Sequence, residues 1–168
     1  MRIALRSMVA RVAFVVALPL AAASLTLAPA QSADAQQIPA GAKQPEEFPR
    51  ANLTVGMFVI DAAVAANDPD RRQGLMYRSR LAPDEGMLFV YDESAAHCFW
   101  MKNTLIPLSI AFIRADGTIT DIDEMDPETT SKHCAQNEGV YALEMSKRWF
   151  ESKGIRPGVV IQGLPTAQ

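Results

Sequence analysis

Apolar residues in this chain fall into short runs cut by turn chemistry, and their spacing is more often that of strands than of helices. Leu53, Val55 and Met57 alternate with Thr54 and Gly56, and Phe58-Val59-Ile60 prolongs the theme, so one or two strands are expected over 53–63. Met87-Leu88-Phe89-Val90-Tyr91 reads as a buried strand. Residues 98–101 and 109–114 read as two more, joined through a corner at Pro107. Asp116-Gly117 predicts a hairpin into a strand over 119–123. Residues 140–145 form another, and Pro157-Gly158 turns into a closing strand over 159–162.

Helical signals are few. Asn67-Asp68-Pro69 is a start signal, with Asp68 as cap and Pro69 in the first helical position, for a short helix over 70–78 that points Leu75 and Met76 inward. Ser146 is placed to cap a second helix over 147–153, with Gly154 as its stop and Trp149-Phe150 packed inward. Residues 125–139 are polar and aperiodic, and read as a long loop. The fold class expected is α+β, a mainly antiparallel, barrel-like β-sheet with two short helices.

The N-terminus carries a different pattern. Arg2, Arg6 and Arg11 flank an apolar run from Val12 to Leu27, and Ala28-Pro29-Ala30 and Ala33-Asp34-Ala35 follow as small-x-small sites. This is a cleaved secretory signal over 1–30, with a second cleavage option after Ala35. The run is shorter than a spanning helix needs and contains Pro19, so no membrane anchor is expected after cleavage. A Gln-, Ala- and Pro-rich linker over 31–50 then leads to a single domain over 51–164. The expected location is periplasmic or secreted.

Cleavage changes the charge. The chain has 16 basic and 19 acidic residues, and the leader holds three of the arginines and no acidic residue; 13 against 19 leaves a net of −6. A moderately acidic mature chain argues against nucleic acid or anionic membrane surfaces as partners.

Two cysteines, Cys98 and Cys134, in an exported chain point to one disulfide, which would tie the 98–101 strand to the long loop. The alternative is a metal site, since His97-Cys98 and His133-Cys134 supply two nitrogens and two sulfurs. Adjacent strand residues point to opposite faces, and zinc ligands usually stand two to four residues apart, so the disulfide is preferred and no metal is expected. The methionines at 57, 76, 87, 101, 125 and 145 read as core packing rather than copper ligands.

Candidate chemistry lies where polar residues interrupt apolar segments: Arg71, Arg78, Lys102, Asn103 and Glu144, with Trp100 as a stacking surface. Such residues form either a ligand site or a structural network, with Glu144 as a buried partner for Arg78 or Lys102. Asp121 and Asp123 alternate about 6.5–7 Å apart by strand rise, a spacing compatible with glycoside hydrolysis and equally with a solvent-facing acidic strand. Ser109 and Ser146 lack a nucleophile-elbow context, no glycine loop cradles phosphate, and no cofactor is expected.

Several segments in order carry a family resemblance: Arg71-x-x-Gly74-Leu75-Met76-x-Arg78, then Gly86-Met87-Leu88-Phe89, then Phe99-Trp100-Met101-Lys102-Asn103-Thr104 with Pro107-Leu108. The Asp116-Gly117 hairpin and Ala142-Leu143-Glu144 before Gly154-Ile155 follow. Over about 53–161 the chain resembles the prokaryotic family called domain of unknown function 192 (DUF192). The resemblance implies a compact, barrel-like α+β domain, often exported, and no particular reaction. The family often has Asp after the Pro-Leu pair; here that position is Ser109, which makes an acid–base role there doubtful.

Two functions are expected to compete. The first is a cell-envelope binding or accessory protein that recognises a small polar ligand, a saccharide or peptide. The second is a hydrolase of envelope glycan using Asp/Glu catalysis.

Overall fold

The computed structural model describes residues 38–166. The leader expected over 1–30 and both expected cleavage sites lie outside the described residues. The strands are Arg50–Val55 (β1), Phe58–Ala65 (β2), Glu85–Ala95 (β3), Cys98–Phe99 (β4), Leu108–Ile113 (β5), Ile119–Met125 (β6), His133–Cys134 (β7), Gly139–Ser146 (β8) and Ile161–Gln162 (β9). Two short helices, Asp68–Gln73 (α1) and Trp149–Ser152 (α2), and a 3-10 turn at Pro45–Glu47 complete the set.

Seven strands pair in the order β6-β5-β8-β3-β2-β1-β9, antiparallel throughout except for β2 with β3. The parallel pair requires a crossover between its strands, and α1 lies in that connection. The sheet curls until its edges meet. Thr118 bridges Val160, Ile119 N–H donates to the Val159 carbonyl at 2.9 Å, and Ile161 N–H donates to the Gly117 carbonyl at 2.9 Å. Gly117 serves the hairpin with φ +86 and also this closure, because a Cβ there would run into the Ile161 carbonyl. The expected barrel-like, mainly antiparallel α+β class is the one found, as a half-closed barrel.

Strand alternation divides the core in two. Leu143 and Met145 of β8 face one cluster with Leu53, Ile60, Leu88, Ile113 and Phe150. Ala142, the next even position, faces a second cluster with Met87, Phe89, Met101, Leu108 and Ile110. Because β5 and β8 are buried on both faces, they read as near-continuous apolar runs.

Several local expectations are corrected. The N-cap of α1 is Asn67, whose side chain accepts from Asp70 N–H at 3.0 Å, rather than Asp68. The helix stops at Gln73, not Arg78, because Gly74 takes φ +50 and lies against Phe89. Ser146 ends β8 rather than capping α2, whose start is displaced by the left-handed Arg148. The strand expected over 98–101 ends at Phe99, since its partner β7 offers only two residues. That partner lies within the expected loop. Met57 is 87% exposed at the β1–β2 turn, whereas Met87, Met101, Met125 and Met145 are core residues. Packing also extends upstream of Ala51, with Phe48 buried and Lys43 paired to Asp70 at 2.8 Å.

Candidate functional site

Glu144 lies directly across from Met87 on β3 and from Ile110 on β5, both fully buried. Directly opposed residues share a face of the sheet, so the carboxyl stands between a thioether and an aliphatic side chain. It is 4% exposed, and no group of the described residues donates a hydrogen bond to it. Burial alone pushes its pKa up to about 8. At neutral pH it is therefore a carboxylic acid, with one proton to donate.

Over this face lies a second layer made of α1, the turns that follow it, and residues 98–104. A pocket of about 30 Å³ remains between the layers, lined by Glu144, Thr104, Gly74, Leu75, Phe99 and Trp100, among others. That volume holds one water-sized group. Trp100 is 51% exposed, so its indole is presented to solvent beside the opening while Glu144 forms the floor. Lys102 is exposed, its ammonium 5.7 Å from the Trp100 ring centroid.

The Trp100 segment is held from several sides. Cys98 and Cys134 form a disulfide between registered residues of β4 and β7, so these sulfurs bind each other rather than a metal. Met101 N–H donates to the Thr129 carbonyl, and Glu128 N–H donates to the Thr104 carbonyl, both at 3.0 Å. Below, Phe99 packs edge-on to Phe89 at 4.9 Å. His97 stacks on Tyr91 with centroids 3.5 Å apart, and burial lowers its pKa.

The structure distributes the remaining candidates. Arg71 borders the pocket but its guanidinium is engaged: it donates to the Ala66 and Val90 carbonyls at 2.7 Å, meets Asp68 at 2.7 Å and covers the Tyr91 ring. Asn103 has φ +57, a conformation Asn tolerates better than most residues. Its side-chain amide donates to the Tyr77 hydroxyl at 3.2 Å and its backbone carbonyl accepts from Tyr77 N–H at 2.8 Å, which ties the 102–104 turn to the segment after α1. Arg78 is not part of this pocket's lining and pairs with Glu85 at 3.5 Å. The expected pairing of Glu144 with Arg78 or Lys102 is therefore corrected: Arg78 serves Glu85, and Lys102 faces solvent.

Asp121 and Asp123 lie on the sheet's edge strand β6, where Asn137 reaches Asp121 at 3.4 Å and His133 meets Asp123 at 2.6 Å. Ser109, where relatives often carry Asp, is fully buried. Its hydroxyl donates to Glu124 at 2.6 Å and accepts from Arg148 N–H at 2.7 Å, so it ties β5 to β6 and to the start of α2. Thr104 and Gly74 join the lining beyond the expected candidates, and both stand in the motif segments. Gly74 admits the close approach, since a Cβ there would lie 3.2 Å from Phe89 Cζ.

A family model for DUF192, described as an uncharacterised ACR, matches residues 51–163. Two solved structures are similar. One, from Sinorhizobium meliloti 1021 and described provisionally as a transcription regulator, has 31% identity and a TM-score of 0.68 and covers 69% of this chain and 95% of that one. The other, a protein of unknown function from Novosphingobium aromaticivorans DSM 12444, has 28% identity and a TM-score of 0.68 and covers 79% and 99%. No curated protein matches the chain.

Proposed function

This chain belongs to the DUF192 family, and we propose that it is an exported binding or accessory protein of the cell envelope whose Trp100–Glu144 pocket takes a small, neutral polar ligand. The observation that carries this reading is a buried carboxyl that accepts no hydrogen bond among the described residues, its pKa raised by burial, in the lining of a pocket bordered by a half-exposed indole. A buried polar group calls for a partner, and Glu144 is part of the pocket's lining. A sugar ring or peptide plane would lie on Trp100 and place one hydroxyl or carbonyl oxygen into the 30 Å³ space, to accept the Glu144 proton. Lys102 would flank the bound group.

Binding is favoured over glycan hydrolysis because the pocket lining holds a single carboxyl. Hydrolysis calls for two facing ones; Asp123 shares the face of Glu144 across Ile110 but is engaged by His133 on the edge strand, and Asp121 meets Asn137. Periplasmic or secreted residence is supported by the arginine-flanked leader with its Ala-x-Ala sites and by a disulfide that an oxidising compartment preserves. The net charge of −6 after cleavage weighs against nucleic acid as a partner.

The test is a tryptophan-fluorescence titration of the exported protein with N-acetylglucosamine, glucose and N-acetylated dipeptide amides. Trp149 is buried, so a ligand-induced change reports Trp100. Saturable quenching lost in Trp100→Ala is expected. No response to any probe would overturn the reading.

A further inference from the structure

On the other side of the 74–78 turns lies a larger opening, independent of the Trp100 pocket. A cavity of about 590 Å³ is bordered by Arg78, Ser79, Arg80, Pro45 and Glu85, within the range of small-molecule sites. It adjoins a second of about 450 Å³ that shares Pro45 and Glu85 and adds Glu46, Arg50 and Asp61. Together they form a cleft between the chain entering β1 and the loop before β3.

We propose that this cleft is a second ligand site, in which the Arg78 guanidinium binds a carboxylate. Arg78 is only 7% exposed, yet its side chain makes no hydrogen bond among the described residues, and its buried Nη2 has no partner. Among the described residues its salt-bridge partner is Glu85 Oε1 at 3.5 Å, long for a charge-assisted bond. That same oxygen is shared with Arg50 Nη1 at 3.4 Å, while Glu85 Oε2 accepts from Ala82 N–H at 2.9 Å. Arg50 is satisfied separately by Asp61, at 2.6 and 2.8 Å. A desolvated guanidinium is held in place by buried surroundings and left short of acceptors, with a cavity beside it.

A planar, two-oxygen acceptor matches the guanidinium fork, and Arg is the residue suited to that recognition. The charge of the lining sets the class. Arg78 and Arg80 offer two positive charges at one end, but Glu85 stands among them, and at the other end Arg50 is neutralised by Asp61 with Glu46 beside them. A monoanion is accommodated, whereas a doubly charged phosphate would meet these carboxylates. A uronic acid and the free C-terminus of a peptide both supply the required group.

The experiment is calorimetric titration of the protein recovered after export of the full chain, with N-acetyl-Ala-Ala against its amide, glucuronate against glucose, and inorganic phosphate. The expected result is that one carboxylate probe binds at least about tenfold tighter than its neutral counterpart and than phosphate. Arg78→Lys, which keeps the charge and removes the fork, weakens it by about tenfold or more. Glu85→Gln, which removes the competing carboxylate, tightens it several-fold. A merely structural Arg78 would not give this opposite pair of effects in folded variants. Which probe binds tells a peptide terminus from a uronate. The proposal is overturned if neither carboxylate binds up to about 10 mM, if phosphate binds more tightly than both, or if affinity is unchanged in Arg78→Lys and Glu85→Gln.

Discussion

Glu144 is the direct cross-strand partner of Met87, and the carboxyl finds no hydrogen-bond donor among the described residues. An acid set opposite a thioether in a sheet core is neutral in the folded state and ionised in the unfolded one at pH 7. This makes it a sensor of pH through stability. The folded pKa, about 8, lies above the ordinary value of 4.5. The contribution is therefore fully present below about pH 4.5 and is lost as pH rises toward 8, at about 1.4 kcal/mol per unit. In Glu144→Gln that slope should vanish. Denaturant unfolding at pH 5 to 8 checks this, and parallel curves for the two proteins would contradict it.

Ser109 and Glu124 share the task of accepting from Arg148 N–H. Introducing the aspartate common in relatives, as Ser109→Asp, sets two carboxylates within hydrogen-bond reach of each other and should destabilise by about 1–3 kcal/mol. Adding Glu124→Gln should recover most of the loss. A double-mutant cycle by chemical denaturation measures the coupling, and a coupling near zero would show the two residues to be independent.

The Asp116-Gly117 turn, the Asn67–Pro69 helix start and the buried central strands are legible because each depends on neighbours within a few residues. The parallel β2–β3 pairing is not, since nothing local announces which strand a crossover returns to. Nor is the closure of Gly117 on Ile161, which unites residues far apart in sequence. Glu144 could be recognised as anomalous from its apolar flanks. That it lacks a partner follows only from the cross-strand register that sets Met87 and Ile110 beside it, and the fate of Arg78 depends likewise on Glu85 across the loop.

The disulfide closes a separation of 36 residues, which on the chain-entropy account contributes about 3–4 kcal/mol. Reduction should lower the melting temperature and loosen the segment that carries Trp100, seen as a red shift of its fluorescence. Non-reducing peptide mapping should recover residues 98 and 134 in one linked fragment. Two freely alkylated thiols in the protein recovered from cells without reductant would contradict the bridge.

Trp100 is half exposed, so Trp100→Ala should cost about 1 kcal/mol or less, whereas Phe99, partly buried and packed on Phe89 and Phe112, should cost about 2 kcal/mol when truncated to Ala. Equal losses measured by thermal unfolding would mean that the indole is a packing element rather than a presented surface.

The pocket's chemistry depends on Glu144 being uncharged at neutral pH and reachable by a ligand. NMR of protein labelled with carbon-13 at the glutamate carboxyls reads both properties at once. One resonance, absent in Glu144→Gln, should titrate with a midpoint near 8 and should shift when N-acetylglucosamine or a dipeptide amide is added. If every glutamate titrates in the ordinary range near 4.5, or if the Glu144 signal is unmoved by all of the probes, the account of this pocket is wrong.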